Sequence, residues 1–201
     1  VKNLTEQPAK SWQGKPAPIK SSDQIRVFFA LWPTPEIQRK LHAVAKTHQA
    51  TYDARIMRTE TLHMTLQFIG NIRRGQLAQL IKAADQVSGI TPFKFELDKL
   101  ACWKHNRIAY ATLTNDEPAL DAIALKLQQA LAAEGVVLDS AKFSPHVTLL
   151  RNVAHIQPPQ ILAPQTITPI PWQVNAFVLV ESLLSSNGAH YKILKEWPLS
   201  A

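Results

Sequence analysis

Leu62-His63-Met64-Thr65-Leu66-Gln67-Phe68-Ile69-Gly70, set beside Pro145-His146-Val147-Thr148-Leu149-Leu150-Arg151, decides how this sequence is read. Both stretches carry His-x-Thr-Leu in an apolar, strand-forming run. Side chains alternate along a strand, so His63, Thr65 and Gln67 are expected on one face and Met64, Leu66 and Phe68 on the other. In the second stretch His146 and Thr148 share a face, opposite Val147 and Leu149. The apolar faces suit packing under helices, and the other faces each present an imidazole beside a hydroxyl. One such pair is ordinarily a half-buried structural feature. Two in corresponding strands, drawn from seven histidines, are poorly explained by chance.

Working outward, residues 26–31 form a β-branched and aromatic strand, and Thr34 caps a helix with Pro35 in its first turn and Ile37, Leu41, Val44 and Ala45 at helical spacing. The first motif strand, 62–69, is closed by Gly70. A helix follows with Leu77, Leu80, Ile81, Ala84 and Val87 on one face, then strands at 93–100 and 107–113. Pro118 opens a third helix, striped by Leu120, Ile123, Leu127, Ala130 and Leu131 and ended by Gly135. The second motif strand, 145–150, leads into a proline-rich connection (Pro158, Pro159, Pro164, Pro169, Pro171). Residues 172–181 and 191–197 make a final hairpin around Ser186-Asn187-Gly188.

This order repeats. Arg26-Val27-Phe28-Phe29-Ala30 matches Arg107-Ile108-Ala109-Tyr110-Ala111, and each is followed by a helix and a motif strand; Pro92-Phe93-Lys94-Phe95 resembles Pro171-Trp172-Gln173-Val174. An α+β fold with internal duplication is expected, bringing the two His-Thr pairs to one cleft about a pseudo-two-fold axis.

The 201 residues, 46% of them hydrophobic, are enough for one domain with a sizeable core. Residues 1–22 hold three prolines and no apolar period and are expected as a flexible arm, with 23–201 as a single domain. No apolar run reaches the ~18 residues of a membrane span, and no secretory-signal pattern is present, so a cytoplasmic protein without membrane contact is expected. A single cysteine, Cys102, excludes an internal disulfide framework and a cysteine-based zinc cluster, and reads as a small buried hydrophobe. The formal net charge of +7 favours an anionic partner such as nucleic acid.

Two histidines flanking a phosphoryl group supply what phosphodiester hydrolysis needs. One imidazole takes a proton from the attacking water while the other protonates the leaving alkoxide. Threonine hydroxyls suit the non-bridging oxygens. No metal or other cofactor is required. A mononuclear zinc site stands as the alternative on residue types alone, although no His-Glu-x-x-His pattern occurs and neither motif contains an acidic residue.

The paired motif with its flanks, together with Phe28-Phe29-Ala30-Leu31 and Tyr191-Lys192-Ile193-Leu194, resembles the 2H phosphoesterase superfamily, in particular the RNA 2′,3′-cyclic phosphodiesterases, also called 2′-5′ RNA ligases. The resemblance runs from about Arg26 to Trp197. It implies a bilobal α+β fold in which two antiparallel sheets line a central cleft with helices outside. It implies His63 and His146 as the proton-transfer pair, with Thr65, Thr148 and Arg151 binding phosphate. His63 would then be the acid to the 3′-oxygen and His146 the base to water, giving a 2′-phosphate from a monomer acting on cyclic-ended RNA. Phe28 and Tyr191 are candidate base or ribose contacts. Trp103, His105 and Arg107 form a weaker candidate group, and His42, His48, His155 and His190 read as surface or structural. ATP-independent RNA ligation at the same site, and a non-catalytic RNA-binding module, are the competing readings.

Overall fold

The computed structural model describes residues 23–138, 142–154, 163–185 and 188–200; the expected arm at 1–22, and His155, Pro158 and Pro159, lie outside these. In chain order the elements are β1 (Gln24–Leu31), α1 (Pro35–Tyr52), β2 (Arg55–Ile56), β3 (Met64–Arg73), α2 (Leu77–Ala84), β4 (Phe93–Trp103), β5 (Ile108–Thr112), α3 (Pro118–Ala133), β6 (Val147–Arg151), β7 (Gln165–Val174), β8 (Ala176–Ser185) and β9 (Gly188–Pro198). The helices start where the sequence punctuates them. Thr34 Oγ1 accepts from the Ile37 amide ahead of Pro35, and the Glu117 carboxylate accepts from the Ala119 amide ahead of Pro118.

The strands run in the order β7-β4-β5-β6-β3-β1-β8-β9, with β2 added to β6, and every pairing is antiparallel. The expected two sheets are the halves β7-β4-β5-β6 and β3-β1-β8-β9, which meet through the pair Met64↔Val147. The halves are topological mirrors: each motif strand lies innermost, next to the strand that precedes it in the repeat. Val27, Phe29 and Leu31 face the main core with α1 and α3, while Phe28 and Ala30 face the other side with Val178 and Val180. On the same opposite side of the second half lie Ala101, Ile108 and Tyr110. One sheet surface is thus covered by helices, and the other is left for a cleft. The halves are also tied by their helices, since α1 contacts β6 and β7 whereas α3 contacts β3.

Three expectations are corrected. The resemblance of 92–95 to 171–174 does not mark equivalent strands: β4 and β7 are hydrogen-bonded neighbours, with Phe93 opposite Val174, and the counterpart of β4 in the repeat is β8. Pro169 and Pro171 are not in a connection but within β7. That strand ends the sheet, so a proline can face outward without removing a ladder hydrogen bond; Trp172 belongs to it rather than to the last hairpin. Gly70 does not close β3, which continues to Arg73. It takes φ +85° at a register shift, a conformation that an L side chain rarely adopts.

A second irregularity in β3 matters more. Ala30 pairs with Thr65, but Phe29 pairs with Gln67 and Phe28 with Phe68, so Leu66 is an extra residue in the strand. In β6, Tyr110 pairs with Thr148, but Ala109 pairs with Leu150 and Ile108 with Arg151, so Leu149 is extra. The leucine of each His-x-Thr-Leu motif is therefore a β-bulge. Each bulge resets alternation: Thr65 and Phe68, three apart, share the cleft face, and so do Thr148 and Arg151. The expected grouping of Phe68 with the apolar face fails for this reason.

Candidate active site

Each motif histidine is held by the same local bond. His63 Nδ1 lies 2.7 Å from the Thr61 carbonyl and His146 Nδ1 lies 2.8 Å from the Ser144 carbonyl. A carbonyl only accepts, so Nδ1 carries the hydrogen in both rings and, in the neutral imidazole, Nε2 keeps its lone pair. The backbone around His63 is fixed in turn. Gln38, buried in α1, donates to the Leu62 carbonyl at 3.2 Å, and Thr61 Oγ1 donates to the Arg58 carbonyl at 2.7 Å. Leaving such a buried carbonyl unpaired would cost about 1–3 kcal/mol.

Aromatic rings set the orientation of both imidazoles. His63 stacks on Trp32 (5.3 Å between centroids, 5° between planes) and on Phe28 (4.7 Å, 27°), with Tyr191 edge-on at 5.1 Å. His146 meets Trp103 at 4.6 Å and Tyr110 at 5.6 Å, both edge-on. Burial lowers both pKa values. His63 is pushed down to about 4 by loss of hydration, against the opposing pull of its bond to Thr61 and with added repulsion from His146 and Arg151. His146 is lowered by burial, partly offset by its bond to Ser144 and reinforced by Arg151.

Both histidines line one cavity of about 290 Å³, together with Thr65, Thr148, Phe68 and Arg151. Arg26, Phe28, Met57, Thr61, Ser182, Ala189 and Tyr191 complete it, and no described lining residue is acidic. Among the described residues, no three His, Cys, Asp or Glu side chains converge to hold a metal ion. Also among them, no helix is long and apolar enough to cross a membrane.

A family model described as LigT-like phosphoesterase matches residues 31–110. The RNA 2′,3′-cyclic phosphodiesterase of Escherichia coli K12 is 26% identical over 182 residues, spanning 89% of this chain and 99% of that protein. Both findings support the 2H phosphoesterase resemblance that the paired motifs carry. The RNA 2′,3′-cyclic phosphodiesterase of Aquifex aeolicus is 24% identical over 183 residues, 87% of this chain and 97% of that protein. Among solved structures, E. coli LigT complexed with 3′-AMP superposes with a TM-score of 0.76 at 25% identity, covering 89% of this chain and 99% of that one.

Around this cavity the sequence-derived candidates divide. His63, Thr65, His146, Thr148 and Arg151 surround the cavity. Phe28 is only 4% exposed and lies against His63, so it acts first as a support for the imidazole, whereas half-buried Tyr191 forms the cavity wall. The group at the β4–β5 turn separates. Trp103 braces His146, exposed His105 lies in the turn, and Arg107 is turned away. Arg107 Nε donates to the Val153 carbonyl at 2.9 Å, which anchors the chain leaving β6 rather than a substrate. His48 Nδ1 bonds the Val44 carbonyl and His190 is exposed, in keeping with structural or surface roles. Cys102 is half-buried and packs against the core, where burial pushes its thiol pKa up.

Four contributors went unread in the sequence. Trp32 continues the Phe28, Ala30 alternation one step past the expected end of β1. Phe68 reaches the cleft only because of the bulge. The Arg26 guanidinium lies 4.8 Å from the Phe68 ring centroid, placing a cation at the cavity. Arg58 bonds the Ala189 carbonyl and so pins the β9 end of the cavity wall; the charge around Arg58-Thr59-Glu60-Thr61 was its only signal.

Proposed function

We propose that this protein, as a cytoplasmic monomer whose residues 23–201 act as one bilobal domain, opens 2′,3′-cyclic phosphate ends of RNA to 2′-phosphates. One observation carries the reading: two imidazoles, each with Nδ1 committed to the carbonyl two residues before it, line a single cavity that also holds two threonines and an arginine. A 2′,3′-cyclic phosphate forms only on ribose, which makes RNA rather than DNA the substrate. The naming and coverage of the E. coli and A. aeolicus relatives, and the net charge of +7, support the same substrate class.

In the reaction, His146 Nε2 accepts a proton as water attacks phosphorus, the P–O3′ bond breaks, and His63 Nε2–H protonates O3′. The division of roles follows the family resemblance. Thr65 and Thr148 stand one strand step beyond the histidines and donate to non-bridging oxygens, and the bulge at Leu149 brings the Arg151 charge to the same face. Thr65→Ala and Thr148→Ala are each expected to raise the barrier by roughly 1–3 kcal/mol, the scale of a hydrogen bond to a charged group. Steady-state kcat/KM on a cyclic mononucleotide measures this, and an unchanged value for both removes the assigned role.

The direct test is a cyclic-ended oligomer incubated in excess EDTA, with its terminus compared by chromatography to authentic 2′- and 3′-phosphate standards. Complete conversion to the 2′-phosphate is expected. Turnover lost in EDTA and restored by zinc would establish the metal alternative. Tight binding with an unaltered terminus would establish an RNA-binding module.

A further inference from the structure

On the cleft face of β1 and just past its end the side chains run large, small, large: Phe28, Ala30 and Trp32. Ala30 is fully buried and pairs with Thr65, so the first motif strand passes beside the gap that this small residue leaves. His63 fills the gap. Phe28 and Trp32 stand roughly 13 Å apart along extended chain. Yet their ring centroids lie only 4.7 Å and 5.3 Å from that of the imidazole. The two rings therefore approach from opposite sides, with interplanar angles of 27° and 5°, and cover both faces of His63. His146 is held differently, since its neighbours Trp103 and Tyr110 meet it at 67° and 76°.

The cover matters because His63 must hold a positive charge before it can deliver a proton to O3′. The charged and titratable groups around it are Tyr191 from β9, His146 and Arg151 from β6, Arg26 from β1, and Arg58 from the segment ahead of the histidine. None of these is acidic, and Glu60 pairs with Arg58 at the surface. The partner of Nδ1 is a carbonyl, not a carboxylate. Burial and the repulsion of His146 and Arg151 all disfavour the cation. Against them stand the faces of Trp32 and Phe28. An aromatic face carries negative charge density and attracts a cation within about 6 Å of its centroid, indole most strongly.

We infer that Trp32 is a positioning residue for the acid: with Phe28 it forms a π-faced slot that fixes the ring plane of His63 and sustains its imidazolium form while phosphate is bound. The inference rests on the cyclic phosphodiesterase reading above. Phe28 is buried in the sheet, whereas Trp32 is half-buried just past the end of β1, so Trp32 is the face that can be altered with less disturbance to the fold. Its action has a sign of its own. An indole that only excluded water would disfavour the charged ring whatever its electron density. A supporting π face favours the charged ring, and does so less as electrons are withdrawn from it.

The test keeps the shape of this side chain and changes its electron density. Full-length protein carrying monofluorinated or tetrafluorinated tryptophan in place of Trp32 is saturated with sulfate. The titration of His63 is then followed by NMR of ring-labelled histidine, its signal assigned by its absence in His63→Asn. The midpoint should fall with each step of fluorination, by about one pH unit in total, the scale of a desolvated cation–π contact. At a fixed pH on the alkaline side of the bell, kcat for a cyclic mononucleotide should fall in parallel, about tenfold per pH unit. Trp32→Phe keeps a π face and should titrate above Trp32→Leu, which removes it. A midpoint that fluorination leaves in place or raises overturns the proposal, because Trp32 would then be apolar packing alone. The two levels separate cleanly. A wild type that leaves the cyclic end intact refutes the phosphodiesterase reading and this proposal with it, whereas an active wild type with an unmoved midpoint refutes the proposal alone.

Discussion

His146→Asn is expected to lower kcat/KM for opening a cyclic mononucleotide by about 10²–10⁴-fold, and His63→Asn by a similar factor, the usual worth of one positioned proton transfer. Asparagine is the informative replacement because its amide can still donate to the Ser144 or Thr61 carbonyl that now receives Nδ1–H. The local hydrogen bond is then preserved while the titrating nitrogen is lost. Both histidines lie at the cleft rather than in the main apolar core, so circular dichroism and the unfolding midpoint should change little. Because base and acid serve one transition state, their losses are not expected to add, and the double variant should fall well short of the product of the two single effects. Wild-type turnover in either single variant would remove that residue from the proton-transfer pair.

The His-Thr geometry was legible because it depends only on strand alternation over two residues, from 63 to 65 and from 146 to 148. Legibility stopped at the next residue. A bulge has no reliable local signal, and the leucines that form it, Leu66 and Leu149, are buried as they would be in a regular strand. Yet each extra residue inverts the facing of everything after it. Alternation alone therefore sent Phe68 to the core and left the direction of Arg151 open, whereas the paired bulges bring both to the cleft. The recurrence of the bulge at the same motif position is stronger support for duplication than any residue-by-residue match. The match of residues 92–95 to 171–174 reflected two adjacent strands with similar edges, not a repeat. Helix starts were legible for a different reason: Thr34-Pro35 and Glu117-Pro118 are chemical stop-and-start signals that act locally. Tertiary crossing is not local, and nothing in the periodicity of α1 or α3 told which half of the sheet each would cover.

Anion binding should be coupled to proton uptake, and this is the second large effect. In the unliganded protein burial holds the pKa of His63 at about 4 and also depresses that of His146, so both imidazoles are neutral at pH 7. The proposed acid, however, must carry a proton when the phosphate is in place. A bound anion beside Nε2 favours the charged imidazole and raises its pKa, so the complex holds more protons than the free protein. Affinity must therefore rise as pH falls, by up to about tenfold per pH unit for one proton taken up. The slope should flatten near pH 4, where free His63 is already protonated. Sulfate is the suitable probe because its own charge is constant over this range. Calorimetry near pH 6.5 in buffers of different ionisation enthalpy counts the proton directly, and His63→Asn should reduce the count. An enthalpy independent of buffer would mean that the anion binds to neutral imidazoles through Arg151 and the threonines alone, and a pre-protonated His63 could then not be the source of the proton delivered to O3′.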